Sequence, residues 1–180
     1  DLSLLHRKNV LMCDKFQLHS KFVLRTIENL KPDVGFVFGA PLLKEELFSI
    51  PEYGCVNIHT GLVDHYRGVD STYWAIKDER LDLVGSTLHY IDNSIDGGSI
   101  IGMKKVVPTK LDTPDSLFYK SCGVGFELLK QNMQSIINNQ TVKIKLDKYG
   151  KLYQNKDMTT EIMNEINNKF PKILGEYVWK

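Results

Sequence analysis

The spacing of apolar side chains changes several times along the chain, and each change marks an element. In "LHSKFVLRTIENL" the residues Leu18, Phe22, Ile27 and Leu30 fall roughly on one face, which predicts a helix. Pro32 ends it, because the residue before a proline is pushed out of helical geometry. "VGFVF" then reads as a buried strand, "PLLKEELFSI" as a short helix stopping near Pro51, and "GCVNIH" as a second buried strand. "STYWAIKDE" is helical. "LVGSTLHYI" alternates and predicts a third strand, and "SIIGMKKVVP" predicts a fourth. In "DTPDSLFYKSCGVGFELLKQNMQSIINN", Thr113 can cap a helix, Pro114 suits its first position and Asp115 its first turn. Phe118, Cys122, Phe126, Leu129, Met133 and Ile137 then recur at intervals of three and four, the mark of a long amphipathic helix. The opening "DLSLLHRKNVLMCDKF" shows neither a cap nor a strand pattern.

After residue 140 the pattern differs. "TVKIKLDKYGKLYQ" alternates on both sides of Tyr149-Gly150 and reads as a hairpin, and "MTTEIMNEINNKF" as a polar helix with a narrow apolar stripe. There is no internal repeat. These elements predict a catalytic unit over 1–140 and a hairpin–helix appendage over 141–180. Helix–strand alternation in the first unit argues for an α/β fold with a mainly parallel sheet flanked by helices.

Composition narrows the class. The chain has 180 residues, 42% of them hydrophobic, which suits one globular domain with a small appendage. The formal net charge is +1 with both signs interspersed, so no nucleic-acid-binding face is expected. No apolar stretch approaches the roughly 20 residues of a membrane helix, and no charged-then-apolar leader opens the sequence. Cys13, Cys55 and Cys122 are odd in number and far apart, without CxxC spacing. A reducing, cytoplasmic setting is therefore expected rather than a disulfide framework or a zinc site.

In such sheets ligands gather at the carboxyl ends of strands. Asn57 and His59 stand at one such end, and a second strand, ending near Ile91, leads into an acidic loop that closes on Asp96-Gly97-Gly98. If the two strands are neighbours, amide, imidazole and carboxylate converge. Asn57 and His59 could stabilise an oxyanion on an attacked carbonyl, and Asp96 could accept the proton an amine loses. No serine or cysteine nucleophile is placed nearby, so direct transfer is the natural chemistry. Spacing alone leaves a plainer reading open, in which the histidine is a satisfied strand-end residue, and His89 or Asp92 could equally claim a role. No His-x-x-x-His pair suggests a metal.

"NIHTGLVDHYRGVDSTYWAI" followed by "VGSTLHYIDNSIDGGSII" resembles the signature region of the folate-dependent formyltransferases. These include methionyl-tRNA, phosphoribosylglycinamide and sugar-nucleotide N-formyltransferases. The resemblance runs from about Lys31 to Ile137 and rests on Asn-x-His and Asp-Gly-Gly, in order and about 40 residues apart. It implies a Rossmann-like catalytic domain using 10-formyltetrahydrofolate as formyl donor, with catalytic Asn57, His59 and Asp96. It implies folate contacts at Leu43, Ile91, Asp92, Asn93 and Ile95, and places Arg67 and Gly68 at the acceptor entrance. The implied mechanism is attack by a neutral amine on the formyl carbon, with Asn57 and a protonated His59 holding the oxyanion. Asp96 would keep His59 charged and help remove the proton through a water.

Two departures stand out. Thr60-Gly61-Leu62-Val63-Asp64 replaces the family's usual Ser-Leu-Leu-Pro loop, and nothing before Lys31 matches its usual first strand–helix unit. A tail of some 40 residues and a near-neutral charge point away from tRNA. "HYRGVDSTYWAI" is most similar to the sugar N-formyltransferases, which implies a nucleotide-linked amino sugar as acceptor. The alternatives are a formyltetrahydrofolate hydrolase, a methionyl-tRNA formyltransferase-like protein and a non-enzymatic, truncated folate-binding module. A homodimer through the tail hairpin or exposed helices is a further expectation.

Overall fold

Helix α1 (Lys21–Leu30) begins where the Ser20 hydroxyl accepts the Val23 amide, and it stops at Lys31, which takes left-handed geometry one residue before Pro32. It belongs to a computed structural model that describes residues 10–178; the beginning of the uncapped opening segment, residues 1–9, lies outside the described residues. The buried face of α1 carries Val23, while Phe22 and Leu30 are exposed, so the stripe expected from spacing is not the face that packs.

Strands β1 (Gly35–Phe38) and β2 (Cys55–His59) follow, separated by the short α2 (Glu45–Phe48). After β2 come β3 (Tyr66–Gly68), α3 (Ser71–Lys77), β4 (Gly85–Tyr90) and β5 (Ile100–Lys105). The four-stranded sheet has the order β1-β2-β4-β5. Only β1 and β2 pair in parallel; β2–β4 and β4–β5 are antiparallel. The α/β class holds with a mixed sheet. Loop 91–99 turns the chain straight from β4 into β5, and such a direct return makes neighbours antiparallel. Between β2 and β4 the chain leaves the sheet for β3 and α3, which packs chiefly on helices and β3, then re-enters beside β2 running the other way.

Every residue of β4 is buried, because it is a central strand covered by α4 (Pro114–Ile137). Strand β1 lies at the sheet edge, and Phe36 and Phe38 remain partly exposed where full burial was expected. Thr113 and Ser116 form a reciprocal capping box at the start of α4, with Pro114 in its first turn, as the sequence suggests. The face of α4 that packs carries Leu117, Ser121, Gly125, Leu128 and Ile136, one residue away from the expected apolar stripe. Close approach decides this: a Cβ on Gly125 would sit 2.4 Å from Ile58 Cγ2. Small residues let the helix backbone reach the sheet, and Phe126 is left to meet Phe38 at the rim.

The expected hairpin about Tyr149-Gly150 does not form. Its first arm bridges the main sheet at Ile144 and Ile100, and its second, β6 (Lys151–Tyr153), pairs in parallel with β3. Gly150 is a contact point rather than a turn. Its amide donates to Val63 O, and a Cβ there would lie 2.1 Å from the His65 carbonyl carbon. Helix α5 (Thr160–Val178) then sets Ile166, Phe170, Ile173 and Leu174 into the core cluster of Trp74, Leu81 and Leu117. Among the described residues no helix is long and apolar enough to cross a membrane.

Candidate active site

Alternation along β2 sends Val56 and Ile58 into the core cluster and Asn57 and His59 to the other face. The antiparallel register sets His89 of β4 directly across from Asn57. Cross-strand partners share a face, so Asn57 Nδ2 lies 3.2 Å from His89 Nε2. Loop 91–99 then folds back, and Asp96 takes left-handed geometry with φ 47°. Its carboxylate lies between two imidazoles: Oδ2 is 3.4 Å from His59 Nδ1 and Oδ1 is 3.4 Å from His89 Nε2. The Gly68 amide donates to Oδ2 at 2.8 Å. The three residues expected from the sequence therefore meet, and His89 joins them. The strand alternation could have singled out His89, since Ser86, Leu88 and Tyr90 point the other way, but the partner of each strand was not legible.

The far side of the His59 ring is also engaged. Nε2 lies 3.1 Å from Tyr66 O and 3.2 Å from Ser71 Oγ. A serine hydroxyl thus does stand beside the histidine, contrary to expectation. Ser71 is buried, however, and is not among the residues lining the cavity, so it orients the ring rather than facing a substrate. His89 Nδ1 lies 2.9 Å from Tyr90 O and carries its proton there. A neutral His89 then accepts from Asn57 at Nε2; a protonated one donates from Nε2 to Asp96.

Burial pulls the His59 pKa down, and Asp96 and the Tyr66 carbonyl only partly push it back. The expected permanent charge on His59 is therefore corrected: its nearly complete burial outweighs the carboxylate. Burial also pushes Asp96 up, but His89, His59 and the Gly68 amide together hold it below the usual carboxylate range. The signs give a prediction. Folding lowers the His59 pKa from its ordinary 6.5, so below that pH the unfolded chain binds more protons than the native one. Stability should fall as pH drops through about 6.5, and replacing His59 by Gln should flatten the slope in denaturant titrations from about pH 7.5 to about pH 5. An unchanged slope in that variant would assign the acid sensitivity to another group.

A cavity of about 610 Å³ opens on this cluster. Asn57, His59 and Asp96 form one wall with His89. Leu43, Ile91, Asp92 and Ile95, expected at the folate, also line it. Asn93 does not; it is exposed and donates to Glu45 Oε2 at 3.1 Å. Gly68 lines the cavity, whereas Arg67 turns its guanidinium to the carbonyls of Gly150 and Ile95. Two contributions were not anticipated. Asp70, in left-handed geometry with φ 58°, lines the cavity with a carboxylate that makes no hydrogen bond among the described residues. Tyr153, Gln154 and Asn155 line it from the tail, which β6 carries back beside β3.

The model of the family described as formyl transferase matches residues 6–133. A methionyl-tRNA formyltransferase from Lysinibacillus sphaericus is 36% identical over 126 residues, 67% of this chain and 39% of that protein. Among solved structures, a 4-N formyltransferase from Francisella tularensis superposes with a TM-score of 0.64 at 27% identity, covering 74% of this chain and 55% of the other. WlaRD, a sugar 3N-formyl transferase crystallised in the presence of dTDP and 5-N-formyl-THF, gives 0.62 at 25% identity over 73% and 49% of the two chains. The chain spans less than half the length of the curated relatives it matches.

Proposed function

This chain belongs to the formyl transferase family, and on that premise we propose that it moves a formyl group from 10-formyltetrahydrofolate to the primary amine of a nucleotide-linked amino sugar. The observation that carries the reading is the meeting of Asn57, His59, His89 and Asp96 on one wall of one cavity. The folate is a co-substrate, consumed at each turnover. Leu43, Ile91 and Ile95 offer its ring system an apolar bed, and Asp92 lies beside them with Asn93 at the rim. A sugar acceptor is favoured over tRNA by the likeness to WlaRD, a sugar 3N-formyl transferase, and by a net charge of +1, which supplies little attraction for a polyanion.

The acceptor side is formed by Gly68, Asp70, Gln154 and Asn155, with Arg67 behind Gly68. Asp70 suits an arriving ammonium, because a carboxylate without a partner gains most from a cation. Once neutral, the amine attacks the formyl carbon and the carbonyl π pair moves to oxygen. Asn57 donates its second amide hydrogen to that oxygen, since the first is committed to His89. His59 donates to the same oxygen in the neutral tautomer that carries its proton on Nδ1, with the Ser71 hydroxyl donating to Nε2. Asp96 takes the proton from the attacking nitrogen through a water and returns it to the departing folate nitrogen as the bond to carbon breaks. The ammonium's extra proton leaves to solvent before attack; from the neutral amine onward no proton or electron pair is left over, and no covalent enzyme intermediate is needed.

The test is to incubate the protein with 10-formyltetrahydrofolate and a panel of dTDP- and UDP-linked 3-amino and 4-amino sugars. Tetrahydrofolate release is followed by absorbance and formamide products by mass spectrometry. A formylated sugar is the expected product. Formate without any amine would establish a hydrolase instead, and formylation of methionyl-tRNA alone would move the acceptor to RNA. Folate binding without turnover of any of these would leave a binding module.

A further inference from the structure

We infer that Arg67 is a positioning residue that ties the tail strand β6 to the acidic loop and so holds Asp96 between the two histidines. The inference concerns the site proposed above and rests on that reading for its kinetic consequences, though not for its structural ones.

Three segments distant in sequence meet at this side chain. Arg67 is on β3, in register with Leu152 of β6. Its Nε donates to Gly150 O at 3.0 Å and its Nη1 donates to Ile95 O at 3.2 Å. The guanidinium carbon lies 5.7 Å from the centroid of the Tyr149 ring. The planar fork serves two backbone carbonyls in two directions at once, which one lysine ammonium cannot do with the same rigidity. These contacts leave Arg67 facing away from the cavity, so a direct grip on the acceptor is not its role.

What the fork holds is the residue before Asp96. Residues 92–95 are all exposed, so the loop has little burial to keep it in shape. Asp96 itself occupies left-handed geometry, which a non-glycine residue keeps only when its surroundings impose it. Besides the two imidazoles on its carboxylate, three contacts hold this end of the loop. Gly68, the neighbour of Arg67, donates to the carboxylate; Arg67 takes the preceding carbonyl; and Tyr149 Oη donates to Gly98 O at 3.4 Å. The tail is anchored in turn, through Gly150 and Lys151 amides donating to Val63 and His65 carbonyls. The loop has its own ties, with the Ser94 amide and hydroxyl donating to Asp92 and Asn93 donating to Glu45, but these hold residues 92–94; Arg67 joins the two-stranded unit to the Ile95 carbonyl, next to Asp96.

The experiment compares Arg67→Ala, Arg67→Gln and Arg67→Lys in the full chain by two readouts. In formyl-transfer kinetics, Arg67→Ala should lower kcat about 30- to 100-fold, the cost of an ångström-scale misplacement, with donor and acceptor KM changed less than about 3-fold. Arg67→Lys should recover part of the loss. In an NMR pH titration the His59 imidazole should move in Arg67→Ala, because the carboxylate facing it is displaced; a side chain that only stabilised the tail would leave it alone. Wild-type kcat with unmoved titrations would overturn the inference, as would a large rise in acceptor KM with unmoved titrations, which would make Arg67 an acceptor ligand. If wild type transfers no formyl group, the proposed function fails, yet the titrations still decide whether Arg67 positions Asp96. Should Arg67→Ala not fold, Arg67→Gln keeps the stem and is read in the same way.

Discussion

Asp96→Asn should lower formyl transfer by about 10³-fold while the protein stays folded, a loss within the range of general acid–base catalysis. Asparagine keeps the size and the carbonyl that can accept the Gly68 amide, so the loop retains that tie. It removes two things no neighbour replaces. One is the negative charge facing His59 Nδ1 and His89 Nε2, each at 3.4 Å, which favours a proton on the His59 Nδ1 that donates to the developing oxyanion. The other is, among the described residues, the only carboxylate that touches both histidines, and hence the proposed station for the proton leaving the amine. Folding should suffer little by comparison, because a buried carboxylate also carries a burial cost that asparagine escapes. The check is steady-state transfer alongside a thermal melt. More than about a tenth of wild-type turnover in a folded Asp96→Asn protein would be incompatible with the role assigned to this group.

Leu88→Ala should cost about 3–5 kcal/mol of stability, the range for a leucine removed from a core that cannot close up. Leu88 is fully buried in β4 among Val56, Ile58, Tyr90, Leu128 and Ile136. It lies opposite Ile58 and next to His89, where the register with β5 shifts. Two strands and α4 frame the void, so collapse is resisted on both faces. Because the same two strands carry Asn57, His59 and His89, any relaxation that did occur would move the site, and kcat should drop along with the urea midpoint. A loss under about 1 kcal/mol would show that the sheet and α4 repack freely. The rigidity claimed for the site would then be wrong.

These two residues differ in how far they could be read from the chain. The role proposed for Asp96 is legible in the Asp-Gly-Gly loop after a strand and in its resemblance to a known signature. The place of Leu88 at the centre of the sheet does not, since an alternating strand looks the same at the edge as in the middle until its neighbours are known. The same limit leaves His89 an open candidate in the sequence. Its alternation puts it on one face of β4, but only the antiparallel register with β2 sets it opposite Asn57. Gly150 departs from its expected turn for a related reason. A glycine between alternating runs signals a turn in the chain alone, yet here it admits the His65 backbone at a distance no side chain would allow. The shifted face of α4 has the same origin in Gly125.

Local stereochemistry was in the chain from the start: the Thr113-Pro114 helix start, the stop before Pro32, the strand ends, and the shared face of Asn57 and His59. Each depends on residues within a few positions of one another, where dihedral preference and side-chain period act directly. The partners of each strand, the burial that discharges His59, the return of the tail to the cavity and the fork of Arg67 were decided by tertiary structure. Those arise from contacts between segments far apart in sequence, 83 residues in the case of Arg67 and Gly150, whose strength depends on packing and desolvation that no local pattern records.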